Sequence, residues 1–170
     1  MEIEILNLIQ NIRTPLLDEI MVFITKMGDL SFVWILMSAL LIFYPKTRKT
    51  GIVVLVSLLV NFLLCNIILK NLVQRIRPFD VNTAIGIIIP KPTDFSFPSG
   101  HTSAGFTVAA ALFCEHKKTI RTAALILAAV IAFSRLYLYV HYPTDVIGGI
   151  VIGIFSGYCG SKMINYYRKI

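Results

Sequence analysis

Five stretches without a single charged residue constrain this chain more than anything else in it: residues 30–44, 51–69, 102–114, 122–134 and 146–161. A helix needs about 20 mostly apolar residues to cross a bilayer, or about 17 at the short end. Only residues 51–69 reach that length unaided. The others reach it by taking in polar residues at one end, as 122–134 does with Arg135 and the stretch 136–140. The chain is 56% hydrophobic and 15% charged over 170 residues, with a mean hydropathy of +0.77. Soluble domains carry nearer ~25% charge. The expected fold is all-α: one membrane-embedded domain over residues 1–170, built as a polytopic helical bundle of five spans.

The net charge of +7 raises the question of nucleic acid, and its distribution argues against that. Lys46, Arg48 and Lys49 share one loop; Lys117, Lys118 and Arg121 share another; Lys162, Arg168 and Lys169 lie at the C-terminus. These places alternate with the other connections, as the positive-inside rule expects of cytoplasmic segments. The C-terminus is then cytoplasmic, and residues 70–100 and 135–144 face the extracytoplasmic side. His116, beside Glu115 in a basic loop, reads as a solvated bystander. Cys65, Cys114 and Cys159 match no metal motif and no disulfide framework. The N-terminus, with Glu2 and Glu4, has no basic leader of the signal-peptide type.

Residues 1–28 form no clean span. Ile5, Leu8, Ile9 and Ile12 recur at helical spacing, and after Pro15 so do Leu16, Leu17, Ile20, Met21 and Ile24. Two amphipathic helices on the membrane surface satisfy this pattern; a sixth span through 15–28 is the alternative. The helix from 51 is expected to continue as Lys70-Asn-Leu-Val-Gln-Arg-Ile-Arg77 until Pro78 ends it. Asn61 and Asn66 should face other helices. The Pro-rich loop 79–96, with its apolar run 85–89, is too interrupted to span and is expected to line an entrance. Gly149, Gly153 and Gly157 recur every fourth residue, a small-residue face for close helix packing.

Three polar clusters fall on the extracytoplasmic side. Lys70 and Arg77 lie two helical turns apart, so both should point one way, with Arg75 off that face toward solvent or headgroups; ion pairs with Asp80 or Asp94 are the alternative role for the two cations. Ser99-Gly100-His101 sits at a loop-to-helix junction, where backbone N–H groups and the helix dipole favour an anion. Arg135 ends an apolar span, and His141 precedes Asp145 by one turn of the next helix. A cation in a span is costly without a partner, and phosphate suits the planar guanidinium. Asp145 can hold one nitrogen of His141 and leave the other free. Two histidines, a carboxylate and three cations suit phosphoryl transfer through a phospho-histidine: one ring attacks phosphorus while the other protonates the leaving oxygen and then activates water. No acidic cluster suggests a divalent metal, so the expected chemistry uses neither metal nor cofactor.

Lys70-x6-Arg77-Pro78, Pro98-Ser99-Gly100-His101 and Ser134-Arg135-x5-His141-x3-Asp145 resemble the three-part signature of the type 2 phosphatidic acid phosphatase superfamily, which also includes vanadium haloperoxidases. The resemblance covers residues 70–145. It implies His141 as nucleophile, Asp145 as its partner, His101 as general acid, and Lys70, Arg77, Ser99, Gly100 and Arg135 as phosphate ligands. The segment Arg-Thr-Pro-Leu-Leu-Asp-Glu-Ile-Met-Val-Phe-Ile-Thr is similar to the bacterial bacitracin-resistance undecaprenyl-diphosphate phosphatases. The implied partners are a lipid phosphate and membrane lipids. Many members of that subgroup carry Asp where Gly100 stands, which keeps phosphatidylglycerophosphate and phosphatidate phosphatases as alternatives. A non-enzymatic lipid-phosphate carrier using the same anion site is the alternative of another class.

Overall fold

The structure is a computed structural model and describes residues 1–115 and 118–167. His116, Lys117, Arg168 and Lys169 therefore lie outside the described residues. The described chain is helical throughout: α1 (Glu2–Gln10), α2 (Pro15–Gly28), α3 (Phe32–Phe43), α4 (Arg48–Asn61), α5 (Lys70–Val73), α6 (Pro78–Val81), α7 (Gly100–Cys114), α8 (Lys118–Tyr137) and α9 (Pro143–Tyr167). A π-helical stretch, Phe62–Leu69, joins α4 to α5 without a break in direction, and a 3-10 turn, Asp29–Ser31, joins α2 to α3.

Four helical stretches of the described residues are long and apolar enough to cross a membrane: Pro15–Phe43, Arg48–Val81, Lys118–Tyr137 and Pro143–Tyr166. Two differences from the five-run reading follow. Helix α7, expected as a span, has 15 residues and falls short of crossing length. It nevertheless runs the depth of the bundle, from the end that holds His101 to the end that holds the Lys49–Glu115 pair, and forms its centre, with Thr102, Ala104, Val108, Ala111 and Leu112 fully or nearly fully buried. Residues 15–28 join the run through α3, yet the run is broken where Leu30 and Ser31 take left-handed φ angles of 49° and 57°. Helix α2 touches α8 near both ends. Asp18 accepts from the Tyr137 hydroxyl, and a Cβ added at Gly28 would lie 3.2 Å from the Ile131 side chain. Those α8 residues are about 9 Å apart along their axis, and Asp18 and Gly28 about 15 Å apart along theirs. Helix α2 thus crosses α8 obliquely.

The glycine face of α9 works as expected. An added Cβ at Gly149 would lie 2.8 Å from the Ser99 carbonyl, one at Gly153 2.5 Å from the Ser103 carbonyl, and one at Gly157 2.6 Å from the Thr107 carbonyl. Backbone therefore packs on backbone along the whole α7–α9 contact. This fixes the start of α7, which carries His101, beside the start of α9, which carries Asp145. Leu36, Leu40, Leu55, Leu59, Ile126 and Val151 point outward. Such an apolar exterior over a small-residue interior is what lipid contact permits.

The two ends of the bundle differ. At one end Lys49 pairs with Glu115 at 3.3 Å and Asn165 bonds Glu115, which gathers the α3–α4 turn, the end of α7 and the end of α9. The other end holds α1, the ends of α5 and α8, and the starts of α7 and α9. A second apolar cluster there, including Leu6, Phe79, Tyr137, Leu138, Tyr139 and Val140, is packed by Ile85, Ile87 and Ile89 of the Pro-rich loop.

Candidate active site

A cavity of about 390 Å³ opens at that second end. Lys70, Arg77, Gly100, His101, Arg135 and His141 line it, so six of the eight residues singled out from the sequence share one space. Ile89 and Pro90 of the Pro-rich loop also line it. Lys26, Lys70, Arg77, Lys91 and Arg135 stand against Asp29 and Asp94, an excess of three positive charges.

The helix carrying Lys70 does not run on to Pro78. It ends at Val73, and Gln74 turns left-handed (φ 50°, ψ 38°). Lys70 and Arg77 nevertheless converge, because both meet Asp94. Lys70 Nζ pairs with Asp94 Oδ2; Arg77 Nη2 donates to Asp94 Oδ1 at 2.6 Å, and its Nε donates to the Asp94 carbonyl at 2.8 Å. Asp94 is half exposed (52%), whereas the two cations are buried (8% and 4%). Partial burial alone would push the Asp94 carboxyl up; Lys70 and Arg77 outweigh it and hold it at about 2.

His141 follows the buried turn after α8 and is itself buried. That turn is tied down on several sides. The Val140 N–H donates to the Arg135 carbonyl, and the Tyr139 hydroxyl donates to Asn7 of α1 and accepts from Asn82. Arg77 Nη1 donates to the Val140 carbonyl at 2.7 Å and lies 3.3 Å from His141 Nε2. A guanidinium only donates, so Nε2 is the accepting nitrogen and the neutral ring carries its proton on Nδ1. Nδ1 in turn lies 3.5 Å from Asp145 Oδ2. Burial first, then the charges of Arg77, Arg135, Lys70 and His101, hold the His141 imidazole well below its ordinary value, so the ring stays neutral.

His101 Nε2 lies 2.9 Å from Asp29 Oδ1, a hydrogen bond that His101 donates. Its ring packs on Gly28, where an added Cβ would lie 2.6 Å from the imidazole Cδ2. Arg135 is buried and donates to the Thr25 hydroxyl; its Nε has no partner, and it has no carboxylate partner among the described residues. Gly100 opens α7, and an added Cβ there would sit 3.1 Å from Asn66 Oδ1 and 3.9 Å from Lys70 Nζ. Asn66 comes from the π-helical stretch, as expected of an amide that must face another helix.

Two singled-out residues sit behind the cavity wall. Ser99, expected as a phosphate ligand, is fully buried; its hydroxyl accepts from Thr102 at 3.0 Å, so its side chain does not line the cavity. Asp145 lies behind His141, with Oδ2 3.5 Å from Nδ1, a ring nitrogen that has no hydrogen-bond partner among the described residues. Arg75, expected to face solvent or headgroups, instead donates to Asp145 Oδ1 at 2.6 Å and to Glu2 Oε2 at 2.6 Å. The signal for it is a second arginine two residues before Arg77, which a continuous helix would place off the Lys70–Arg77 face and which the stop at Val73 redirects. Asp94 and Asp29, the two cavity carboxylates, come from loops far from their partners in sequence.

Residues 50–169 match the PAP2 superfamily. The chain belongs to that family. It is 35% identical over 151 residues to an undecaprenyl-diphosphatase of Sulfolobus acidocaldarius, covering 89% of this chain and 72% of that one. It is 31% identical over 150 residues to the undecaprenyl-diphosphatase BcrC of Bacillus subtilis, covering 86% and 74%. The transmembrane PAP2 type phosphatidylglycerolphosphate phosphatase of Bacillus subtilis superposes with a TM-score of 0.77 at 29% identity, over 99% of this chain and 85% of that one. A PAP2 member with this fold is a multi-pass membrane enzyme that hydrolyses phosphate esters.

Proposed function

We propose that this PAP2 enzyme removes phosphate from undecaprenyl diphosphate at the extracytoplasmic face of the membrane, without a metal, through a phospho-histidine on His141. One observation carries the reading: two imidazoles and the cations Lys70, Arg77 and Arg135 line one cavity, and the ring nitrogen of His141 that keeps its lone pair is the one beside Arg77. Both sequence relatives named above support the substrate. The phosphatidylglycerolphosphate phosphatase neighbour supports a second one, phosphatidylglycerophosphate.

In the first step Lys70, Arg77, Arg135 and the backbone N–H groups at the start of α7 hold the terminal phosphoryl oxygens, which displaces Asp94 from its cations. His141 Nε2 attacks phosphorus, and the bond from phosphorus to the bridging oxygen breaks. His101 gives a proton to that oxygen, and undecaprenyl phosphate leaves. Asp145 balances the positive charge that forms on the His141 ring through its Nδ1–H. In the second step His101 takes a proton from water, the hydroxide attacks phosphorus, and the P–N bond breaks to release inorganic phosphate. The cluster of Lys49, Lys118 and Arg121 at the opposite end supports a cytoplasmic location for that end, and so an extracytoplasmic cavity.

Phosphate release in EDTA from undecaprenyl diphosphate, phosphatidylglycerophosphate and phosphatidate, compared side by side in detergent, tests the reading. The expected order has undecaprenyl diphosphate first, with a phospho-enzyme trapped by rapid acid quench. No release from any of the three, or release that needs an added divalent metal, overturns it.

A further inference from the structure

The mechanism leaves one buried-side cation unused. Arg75 follows the left-handed turn at Gln74, and that turn swings it off the axis of α5 toward the start of α9. Its Nη1 donates to Asp145 Oδ1 and to the Thr144 hydroxyl, each at 2.6 Å, and its Nη2 donates to Glu2 at 2.6 Å. Its guanidinium stacks on the Tyr142 ring, 3.8 Å from the centroid. Glu2 closes the circuit by accepting from the Thr144 N–H at 3.1 Å and from its hydroxyl at 2.8 Å.

The two oxygens of Asp145 are thereby divided. Oδ2 accepts from the Ser96 hydroxyl at 2.5 Å and the Tyr142 N–H at 2.8 Å, and lies 3.5 Å from His141 Nδ1. Oδ1 is left to Arg75. Asp145 has no exposed surface, and among the described residues Arg75 is the one permanently charged partner it contacts. A guanidinium can bond Asp145, Thr144 and Glu2 at once because its donors fork in one plane, which an ammonium cannot match.

We infer that Arg75 is a positioning residue for the hydrolysis proposed above: it fixes the Asp145 carboxylate against His141 and, through Glu2, makes that alignment depend on the docking of α1. The inference rests on the proposed role of His141. Arg75 does not line the cavity, so its effect should fall on the rate of phosphoryl transfer and on the titration of His141 rather than on substrate affinity. Lys70, Arg77, Arg135, His101 and Asp145 face the His141 ring from the surrounding elements, with Asp94 and Asp29 across the cavity. Of these groups Arg75 touches Asp145 alone, so its removal acts on the ring through that carboxylate. Removing Arg75 leaves the Asp145 charge uncompensated beside the ring, which favours imidazolium and moves the His141 pKa upward.

The test compares Arg75→Gln and Arg75→Lys with the wild-type enzyme in detergent. Phosphate release is measured from pH 5 to 9, and the His141 imidazole is titrated without substrate by NMR of 15N-histidine-labelled protein. Arg75→Gln should lower kcat about 10- to 100-fold, on the scale of residues that orient a reacting group, with KM changed far less. Its acid limb and its His141 titration should both move to higher pH. Arg75→Lys should restore the titration more than the rate. An unmoved His141 titration in Arg75→Gln overturns the inference, whatever happens to thermal stability. So does a rate loss that matches the loss of folded protein. A wild-type protein silent on every lipid phosphate would overturn the proposed function, while the titration would still decide Arg75. If Arg75→Gln fails to fold, Arg75→Lys carries the test: an ammonium cannot hold Asp145, Thr144 and Glu2 in one plane, so kcat per folded enzyme should still fall with KM changed far less, and a wild-type kcat overturns the inference.

Discussion

The two histidines of the cavity are held in unlike ways. His141 is buried, its Nε2 beside a buried arginine and its Nδ1 facing a carboxylate with no exposed surface. His101 is bonded to Asp29, a carboxylate that is 59% exposed. Burial fixes one ring in position and tautomer, as a nucleophile requires. Contact with an exposed carboxylate leaves the other ring a bond that can be exchanged for a leaving oxygen or a water, as an acid that must reload requires. Asp94 and Asp145 repeat the contrast. Asp145 is locked by Arg75, Ser96 and the Tyr142 N–H, while half-exposed Asp94 lies on the cations that the phosphoryl group needs.

The sharpest way to break this comparison is to remove each ring. His141→Ala should lower turnover of undecaprenyl diphosphate by about 10⁴-fold or more, the scale of losing a nucleophile, and abolish the acid-quenched phospho-enzyme. His101→Asn should cost about 10²- to 10⁴-fold, the scale of general acid catalysis. With a substrate whose leaving group needs no proton, such as p-nitrophenyl phosphate, the His101→Asn loss should shrink and the His141→Ala loss should not. Equal losses on both substrates would mean that His101 does not supply the proton.

Both rings depend on the contact between α7 and α9, so the next largest effect is on stability. Gly153→Leu would drive a side chain into the Ser103 carbonyl and the Cβ of Phe106, which an added Cβ alone would meet at 2.5 and 2.9 Å. Overpacking of this kind costs about 1–3 kcal/mol. Thermal unfolding in detergent should show the loss, and the surviving folded fraction should turn over more slowly because the starts of α7 and α9 separate. An unchanged melting point would show that the helices can slide apart without harm.

How far the sequence discloses this arrangement depends on how local each signal is. The helices, the glycine face of α9 and the gathering of Lys70, Arg77, Gly100, His101, Arg135 and His141 are legible because uncharged runs and fixed spacings carry them. Lys70 and Arg77 converge for a different reason from the one their spacing suggests. The helix stops at Val73, and what unites them is a loop carboxylate, Asp94. Nothing marks Gln74 as the left-handed residue, since Gly or Asn would be the usual choice there, and so nothing marks Arg75 as a partner of Asp145. The central burial of α7 is also hidden. An uncharged run reads alike whether lipid or other helices surround it. Ser99 is buried by Thr102, a contact that spacing alone does not reveal.

Asp94→Asn sharpens the contrast between the two carboxylates. If Asp94 competes with the phosphoryl group for Lys70 and Arg77, its neutral amide should tighten inhibition by vanadate or inorganic phosphate about tenfold, equivalent to about 1.4 kcal/mol. The pH dependence follows from its pKa. The Asp94 carboxyl lies at about 2 in the folded protein against an ordinary 3.8. Its contribution to folding is therefore present above about pH 4 and is lost only as pH falls through about 2. Between pH 5 and 8 it stays ionised, so the ratio of variant to wild-type inhibition constants should be flat across that range. A ratio that changes there, or no tightening at all, would mean that Asp94 does not contest the site.

Asp29→Asn should have the smallest effect, and for that reason it is the most discriminating test of how His101 is held. The amide keeps a hydrogen-bond acceptor in place and removes only the charge. If the contact serves mainly to orient a ring that must let go in each turnover, kcat should fall only a few-fold, within the ~0.2–1 kcal/mol that exposed ion pairs contribute, and KM should stay unchanged. Asp145→Asn on the other ring removes a charge that water cannot replace, and should cost far more. Equal losses from the two substitutions, measured on the same substrate at the same pH, would show that the exposed and the buried carboxylate do the same work, and the distinction between a fixed and an exchangeable histidine would fall.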